Sequence, residues 1–339
     1  MRTICFIFFL IFFQPVAYSQ LSSSYAVVDK YVQNFPMKIG SAGDLRVFIK
    51  EMSRVFTKDD EKVRAVYYWI TENIGYDCTG YHNGLLISRE IDDILRSRKA
   101  VCSGYAALMQ FGCDAMNIEC KTISGAARVH EQDIFFHPDS LKSNHAWNAV
   151  KLNGEWKLID ATWASGYSDK DVTKFIKERK DAYFFMQPAR FIYTHLPDDS
   201  AWQLLKDTVV TPGAFCNQPF IWTSYFEYQI ENAEPFTLNL NKKVGDTIRF
   251  KFCSGRPLAK IMIYSDEKRG VHVTDSLLKT GDCYFYNYVV RQIGKYDLNI
   301  GFSDRGNGSD KENQPGIYTT VIMYRLEVKE LKTPSHKVR

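Results

Sequence analysis

The stretch Asn144-His145-Ala146-Trp147-Asn148-Ala149-Val150-Lys151-Leu152-Asn153-Gly154-Glu155-Trp156-Lys157-Leu158-Ile159-Asp160-Ala161-Thr162-Trp163 decides how this chain is read. Asn153-Gly154 divides two strand-like runs, His145–Leu152 and Glu155–Thr162, and both residues tolerate the positive φ that a tight two-residue hairpin turn demands. With Leu152 facing Glu155, His145 falls opposite Thr162, and Asp160 lies diagonal to His145 on the same face. Diagonal neighbours on a strand pair are roughly 7–8 Å apart, within reach of an imidazole and a carboxylate. A one-residue slip would place the two on opposite faces.

A third chemically capable residue precedes this hairpin. Cys102 stands in Lys99-Ala100-Val101-Cys102-Ser103-Gly104-Tyr105-Ala106, ahead of an Ala-, Leu- and Met-rich helical run over Ser103–Met116. The region before it, Gly84–Lys99, reads as a short helix and a basic turn. A cysteine at a helix N-terminus near Arg98 and Lys99 favours the thiolate, lowering a free thiol from about 8.5 into a range of roughly 3.5–7.5. Its own backbone N–H points where an oxyanion would form. Cysteine, histidine and aspartate in this order suit a thiol-nucleophile triad: Cys102 attacks, His145 moves the proton, Asp160 orients the ring. Each residue alone is more often a packed core residue; the hairpin and helix tie the three together.

The residues around this group resemble the transglutaminase-like superfamily, with its papain-like layout, and within it the kyphoscoliosis-peptidase-like branch. The resemblance is carried by Lys62–Ile70 leading into Asn73-Ile74-Gly75-Tyr76-Asp77, by the Cys102 and His145–Asp160 motifs, and by His195-Leu196-Pro197 with Trp202-Gln203-Leu204-Leu205. It covers roughly residues 25–210. It implies an amide-directed enzyme working through a thioester on Cys102, with His145 as general base then acid and Asp160 as orienter. Tyr76-Asp77 stands where animal transglutaminases carry Trp-Asp, so Tyr76 is an oxyanion candidate, with a packed aromatic as the alternative. The calcium sites of animal transglutaminases have no recognisable counterpart here. No cofactor and no metal site is expected; Cys78-Thr79-Gly80-Tyr81-His82 lacks a second ligand pair and reads as a loop.

The chain of 339 residues exceeds one typical domain. Residues 1–19 read as a signal peptide: Met1-Arg2, an apolar run from Ile4 to Phe13 too short to span a bilayer, then Ala17-Tyr18-Ser19. The expected location is therefore exported: secreted, periplasmic or cell-surface, with no membrane span after signal removal. Residues 20–58 form an N-terminal helical segment with a helix near Asp44–Val55. The catalytic unit is set at 59–207, opening with a helix over Asp59–Ile74 that Thr57 caps and whose Val63, Val66, Tyr67 and Ile70 share a face. A C-terminal unit is set at 208–331; composition changes near Thr208–Phe220, and from about Phe236 apolar and polar residues alternate, as in Thr247–Phe252, Tyr296–Ile300 and Val321–Leu326, which argues an antiparallel sandwich. Gly306–Pro315 is a polar loop, and 332–339 a disordered tail. The fold class expected is α+β: a papain-like, transglutaminase-like core followed by an all-β, immunoglobulin-like sandwich.

The formal charge is +4, falling to about +3 without the signal, and no basic stripe argues for nucleic acid. Of eight cysteines, seven remain after Cys5 is removed. An odd number in an exported chain leaves at least one free thiol, which suits Cys102, while Cys253 and Cys283 lie in strands able to pair. The expected function is an exported cysteine-dependent acyl-transfer enzyme, with peptide or protein amides as substrate and hydrolysis the favoured outcome. A protein transamidase and a non-catalytic scaffold remain alternatives. A disulfide-exchange protein lacks its Cys-x-x-Cys. Substrate identity and oligomeric state stay open.

Overall fold

The computed structural model describes residues 24–83, 90–128, 137–169, 171–265, 271–274, 277–303 and 318–330. The expected signal peptide, the Gly306–Pro315 loop and the tail lie outside these residues, as does part of the Gly84–Lys99 region. No helix among the described residues is long and apolar enough to cross a membrane.

Three helices open the described residues: α1 (Ala26–Gln33), α2 (Ala42–Val55) and α3 (Asp59–Asn73). The α3 face expected to be apolar is buried, with Val63, Val66, Tyr67 and Ile70 all at or below 1% exposure. Thr57 does not cap α3; the cap position is Lys58, whose side chain makes no capping bond. Asp59, Asp60 and Glu61 in the first turn supply the negative charge that the positive helix end attracts. Arg64, 1% exposed, is held by Asp29 of α1 at 2.6 and 2.7 Å and by Asp181 at 2.9 Å. That buried charge is thus paired on two sides, as a guanidinium in an apolar setting must be.

Next come β1 (Gly75–Tyr76), α4 (Cys78–Asn83), α5 (Ile91–Ser97), β2 (Lys99–Ala100) and α6 (Cys102–Ala115). The Cys78–His82 stretch is therefore a short helix rather than the expected loop, started by Asp77, whose side chain accepts from the Gly80 N–H at 3.0 Å. β1 and β2 pair in parallel, with Tyr76 opposite Ala100. The core sheet follows in the order β8–β5–β4–β3–β9, from β3 (Cys120–Ala127), β4 (His145–Leu152), β5 (Glu155–Ile159), β8 (Phe184–Met186) and β9 (His195–Pro197). Between them lie α7 (Ala161–Ser165) and the ribbon β6 (Gly166–Ser168) with β7 (Phe175–Lys177). The hairpin register is the expected one, Leu152 opposite Glu155, across Asn153 at φ 51° and Gly154 at φ 83°. Helix α6 packs on β4, and Asn148 of β4 donates from Nδ2 to the Ala106 carbonyl at 3.1 Å.

The remaining chain forms two packed sheets. One has β10 (Phe220–Ile221), β19 (Tyr318–Lys329), β18 (Gly294–Ser303), β14 (Ile261–Ser265) and β15 (Val271–Thr274), with β12 (Asn239–Lys243) also on β19; the other orders β11 (Ile230–Glu234), β13 (Thr247–Ser254), β17 (Cys283–Val289) and β16 (Leu278–Thr280). The sandwich is not wholly antiparallel, because β12 runs parallel to β19. Cys253 and Cys283 face one another in the β13–β17 register and form a disulfide, with Cα atoms 3.9 Å apart. One apolar cluster runs through both halves of the molecule, from Leu45 and Tyr67 to Tyr225, Phe250 and Tyr324.

Candidate active site

Cys102 is the first residue of α6, with Val101 at the cap position and no capping side chain. Of the first-turn N–H groups, that of Gly104 donates to the Val101 carbonyl at 2.8 Å, and no side chain caps those of Cys102 and Ser103. The turn from β2 into α6 is tight: a Cβ on Gly104 would stand 2.8 Å from the Ala100 Cβ, so glycine is required for this approach. Among the described cysteines, Cys78, Cys102, Cys113, Cys120 and Cys216 are free, and Cys102 is the one that is not fully buried.

His145 begins β4 opposite Gly125 of β3. The strand after the hairpin, expected to reach Thr162, stops at Ile159 instead. The reason is Asp160, whose Oδ1 accepts from the Thr162 and Trp163 N–H groups at 2.8 and 3.0 Å, capping α7 and turning the chain into a helix. His145 consequently has no partner on β5, but its Nε2 still meets Asp160 Oδ2 at 2.6 Å. With Nε2–H donating to the carboxylate, Nδ1 is the ring nitrogen left for the thiol. Cys102 and His145 are near enough for each to shift the other's titration, and the Ala146 N–H acts on the sulfur from the start of β4.

The charges follow from this arrangement. Burial would push the Cys102 thiol up; the His145 hydrogen bond and charge, with the Ala146 N–H, outweigh it and hold the thiol below its ordinary value. Burial would likewise neutralise His145, but Asp160 and then Cys102 raise its pKa to about 10. Asp160, fully buried, is held well below the usual carboxylate range, because His145 and then His195 overcome the cost of burial. Both shifts, the thiol's downward and the imidazole's upward, favour a thiolate beside an imidazolium, the reactive form of a nucleophilic cysteine.

Sequence reasoning placed His195 only in a recurring motif and gave it no role. The structure brings its Nε2 to 3.1 Å from the same Asp160 Oδ2, and its Nδ1 to 2.8 Å from Thr194 Oγ1. Phe191 stacks on the ring at 3.9 Å between centroids, and Trp163 lies at 4.3 Å. His145, Asp160 and His195 are all metal-capable and lie close together. Two imidazole N–H donors on one carboxylate oxygen account for that closeness. The signal available in sequence was the His-Leu-Pro motif itself, 35 residues beyond Asp160.

Burial dominates His195 and lowers its pKa to about 4, so it is neutral in the folded protein. Its unfolded value is about 6.5, so the unfolded chain binds the extra proton in between, and stability falls as pH drops through this window. The loss amounts to about 3 kcal/mol. Urea unfolding at the two ends of the window should show this drop in the native chain and a smaller one in His195→Gln. Equal drops would mean that His195 does not titrate there.

Tyr76 stands beside the nucleophile through the β1–β2 pairing, two residues from Cys102 along the partner strand. Burial, then the nearby Cys102 charge, holds its phenol above the usual tyrosine range, so it remains an O–H donor at neutral pH. Tyr76 and His145 both line a cavity of about 550 Å³.

Residues 47–161, which hold Cys102, His145 and Asp160, match the transglutaminase-like superfamily. Kyphoscoliosis peptidase of Homo sapiens is 35% identical over 303 residues, covering 88% of this chain and 42% of that protein. These residues form a transglutaminase-like domain of the kyphoscoliosis-peptidase-like branch. The mouse kyphoscoliosis peptidase is 36% identical over 164 residues, 48% of this chain and 24% of its own length. Hillarin of Drosophila melanogaster is 26% identical over 192 residues, 52% of this chain and 23% of its own. The chain thus spans less than half the length of these curated relatives. Within the transglutaminase-like domain, His145 is hydrogen-bonded to Asp160 and lies near enough to Cys102 to lower its thiol pKa, and His195 shares Asp160 from β9.

Proposed function

We propose that this protein is an exported cysteine-dependent acyl-transfer enzyme that hydrolyses peptide or protein amides through a thioester on Cys102. The observation that carries the reading is the His145 ring, which meets Asp160 at 2.6 Å and lies close enough to Cys102 to pull its thiol pKa down. The thiolate attacks the amide carbon, the oxyanion forms near the first turn of α6 and the Tyr76 hydroxyl, and His145 gives its proton to the departing amine. Water then enters, His145 takes its proton, and the thioester opens to the acid. An amine in place of water would give transamidation by the same first half. The printed name of the human and mouse relatives, peptidase, supports hydrolysis. Export rests on the signal-like residues 1–19, and the Cys253–Cys283 disulfide supports an oxidising compartment.

Thiol labelling tests the reading without a known substrate. Iodoacetamide at neutral pH should modify Cys102 selectively over the four buried free cysteines, and His145→Ala should slow this to the rate of an ordinary thiol. Peptide mapping by mass spectrometry reads both. Slow labelling of the native protein, unchanged by His145→Ala, would favour a non-catalytic scaffold instead.

A further inference from the structure

The cavity beside the site is built by both halves of the chain. The transglutaminase-like half contributes Trp163 and Tyr183, and the C-terminal half contributes Trp222 and Phe226. Trp222 follows β10 and donates its N–H to the Val321 carbonyl of β19 at 3.1 Å, so the sandwich holds this wall in place. The two walls are tied at Tyr183, whose hydroxyl meets Thr223 Oγ1 at 3.1 Å. Lys180 and Arg128 are the Lys and Arg side chains in the lining, beside the protonated His145, and no carboxylate lines the cavity among the described residues. Arg128 is fixed by the carbonyls of Phe215, Gln218 and Pro219. Its volume of about 550 Å³ falls within the range of ligand pockets.

We propose that this cavity is the specificity pocket for an aromatic side chain on the peptide whose amide Cys102 attacks, and that the C-terminal half selects it through Trp222. The proposal rests on the acyl-transfer reading above and names its substrate class. Aromatic walls meet an aromatic ring edge-to-face or in offset stacks, and they gain from its large burial. The two cations disfavour a lysine or arginine in the same place by like-charge repulsion. A glycine leaves the aromatic walls without a partner. His145 and Tyr76 belong to the same lining, so a ring seated here lies beside the residues that act with the nucleophile.

The experiment uses the full chain and dipeptidyl vinyl sulfones that differ only in the residue next to the electrophile: Phe, Gly or Lys. The Cys102 thiolate adds to the vinyl carbon and the resulting carbanion takes a proton, so inactivation rates report the fit of each side chain. The Phe reagent should react at least about tenfold faster than the Gly and Lys reagents, the discrimination expected of a well-shaped apolar pocket. Trp222→Ala should reduce this preference to under about threefold while iodoacetamide labels Cys102 at an unchanged rate. Tyr167→Ala, at a rim position 47% exposed, should weaken the preference in the same direction and serves if Trp222→Ala does not fold. Equal Phe and Gly rates with normal iodoacetamide labelling would overturn the pocket and leave the acyl-transfer reading standing. A Phe preference that survives both substitutions would place the pocket elsewhere. Iodoacetamide labelling that does not depend on His145 would sink the acyl-transfer reading, and the pocket with it.

Discussion

Cys102→Ala is expected to remove amide turnover completely while leaving the fold in place. The change deletes one sulfur at the first position of α6, where alanine is the best helix former and the residue is only partly buried. Among the described residues the other free cysteines are buried and poorly placed to take over. The sulfur does interact with the His145 ring and the Ala146 N–H, so a modest stability change accompanies its loss. The measurement is hydrolysis of a peptide library by the native and variant chains, with thermal melts of both as the folding control. Turnover retained by a folded Cys102→Ala variant would end the assignment of Cys102 as nucleophile.

Asp160→Asn should lower the rate by about 10⁴, the size of the effect when the equivalent carboxylate of a serine triad becomes an amide. The geometry here sharpens the reason. Asp160 accepts on all sides: two imidazole N–H groups at Oδ2 and two backbone N–H groups at Oδ1. An asparagine has only one acceptor oxygen. If that oxygen keeps the α7 cap, its NH₂ faces His145 and forces Nε2 to become an acceptor, which puts the ring proton on Nδ1 facing the sulfur. The imidazole can then no longer take the thiol proton. If the amide turns the other way, its NH₂ meets the Thr162 and Trp163 N–H groups, and the cap is lost at a cost of about 0.5–2 kcal/mol. Single-turnover acylation and the rate of Cys102 alkylation both read the effect, and a fall of less than tenfold would leave Asp160 with a structural role alone.

Local signals were legible where short-range chemistry dominates. Asn153-Gly154 specifies its turn by φ alone, and the turn specifies the register of β4 against β5 without reference to the rest of the chain. The α3 face and the start of α6 follow from apolar spacing in the same way. Where two local preferences compete, the reading failed. Leu158-Ile159-Asp160-Ala161-Thr162 continues an alternating pattern, yet Asp160 is also a strong cap former, and the cap prevailed because it satisfies two otherwise orphaned N–H groups. Asp77 starts α4 in the same manner, and Thr57, equally suited to capping, is passed over for Lys58.

By itself, the sequence determined the hairpin, the helix that carries the thiol, the pairing-competent Cys253 and Cys283, and the identity of the three residues that meet. Only the tertiary structure decided that His195 shares Asp160, that β12 joins β19 in parallel, and that Trp222 closes a cavity opened by His145. The difference lies in range. A turn or a helix start is governed by neighbours a few residues away, whereas His195 reaches Asp160 across 35 positions and Tyr183 meets Thr223 across 40, through packing that no local pattern encodes.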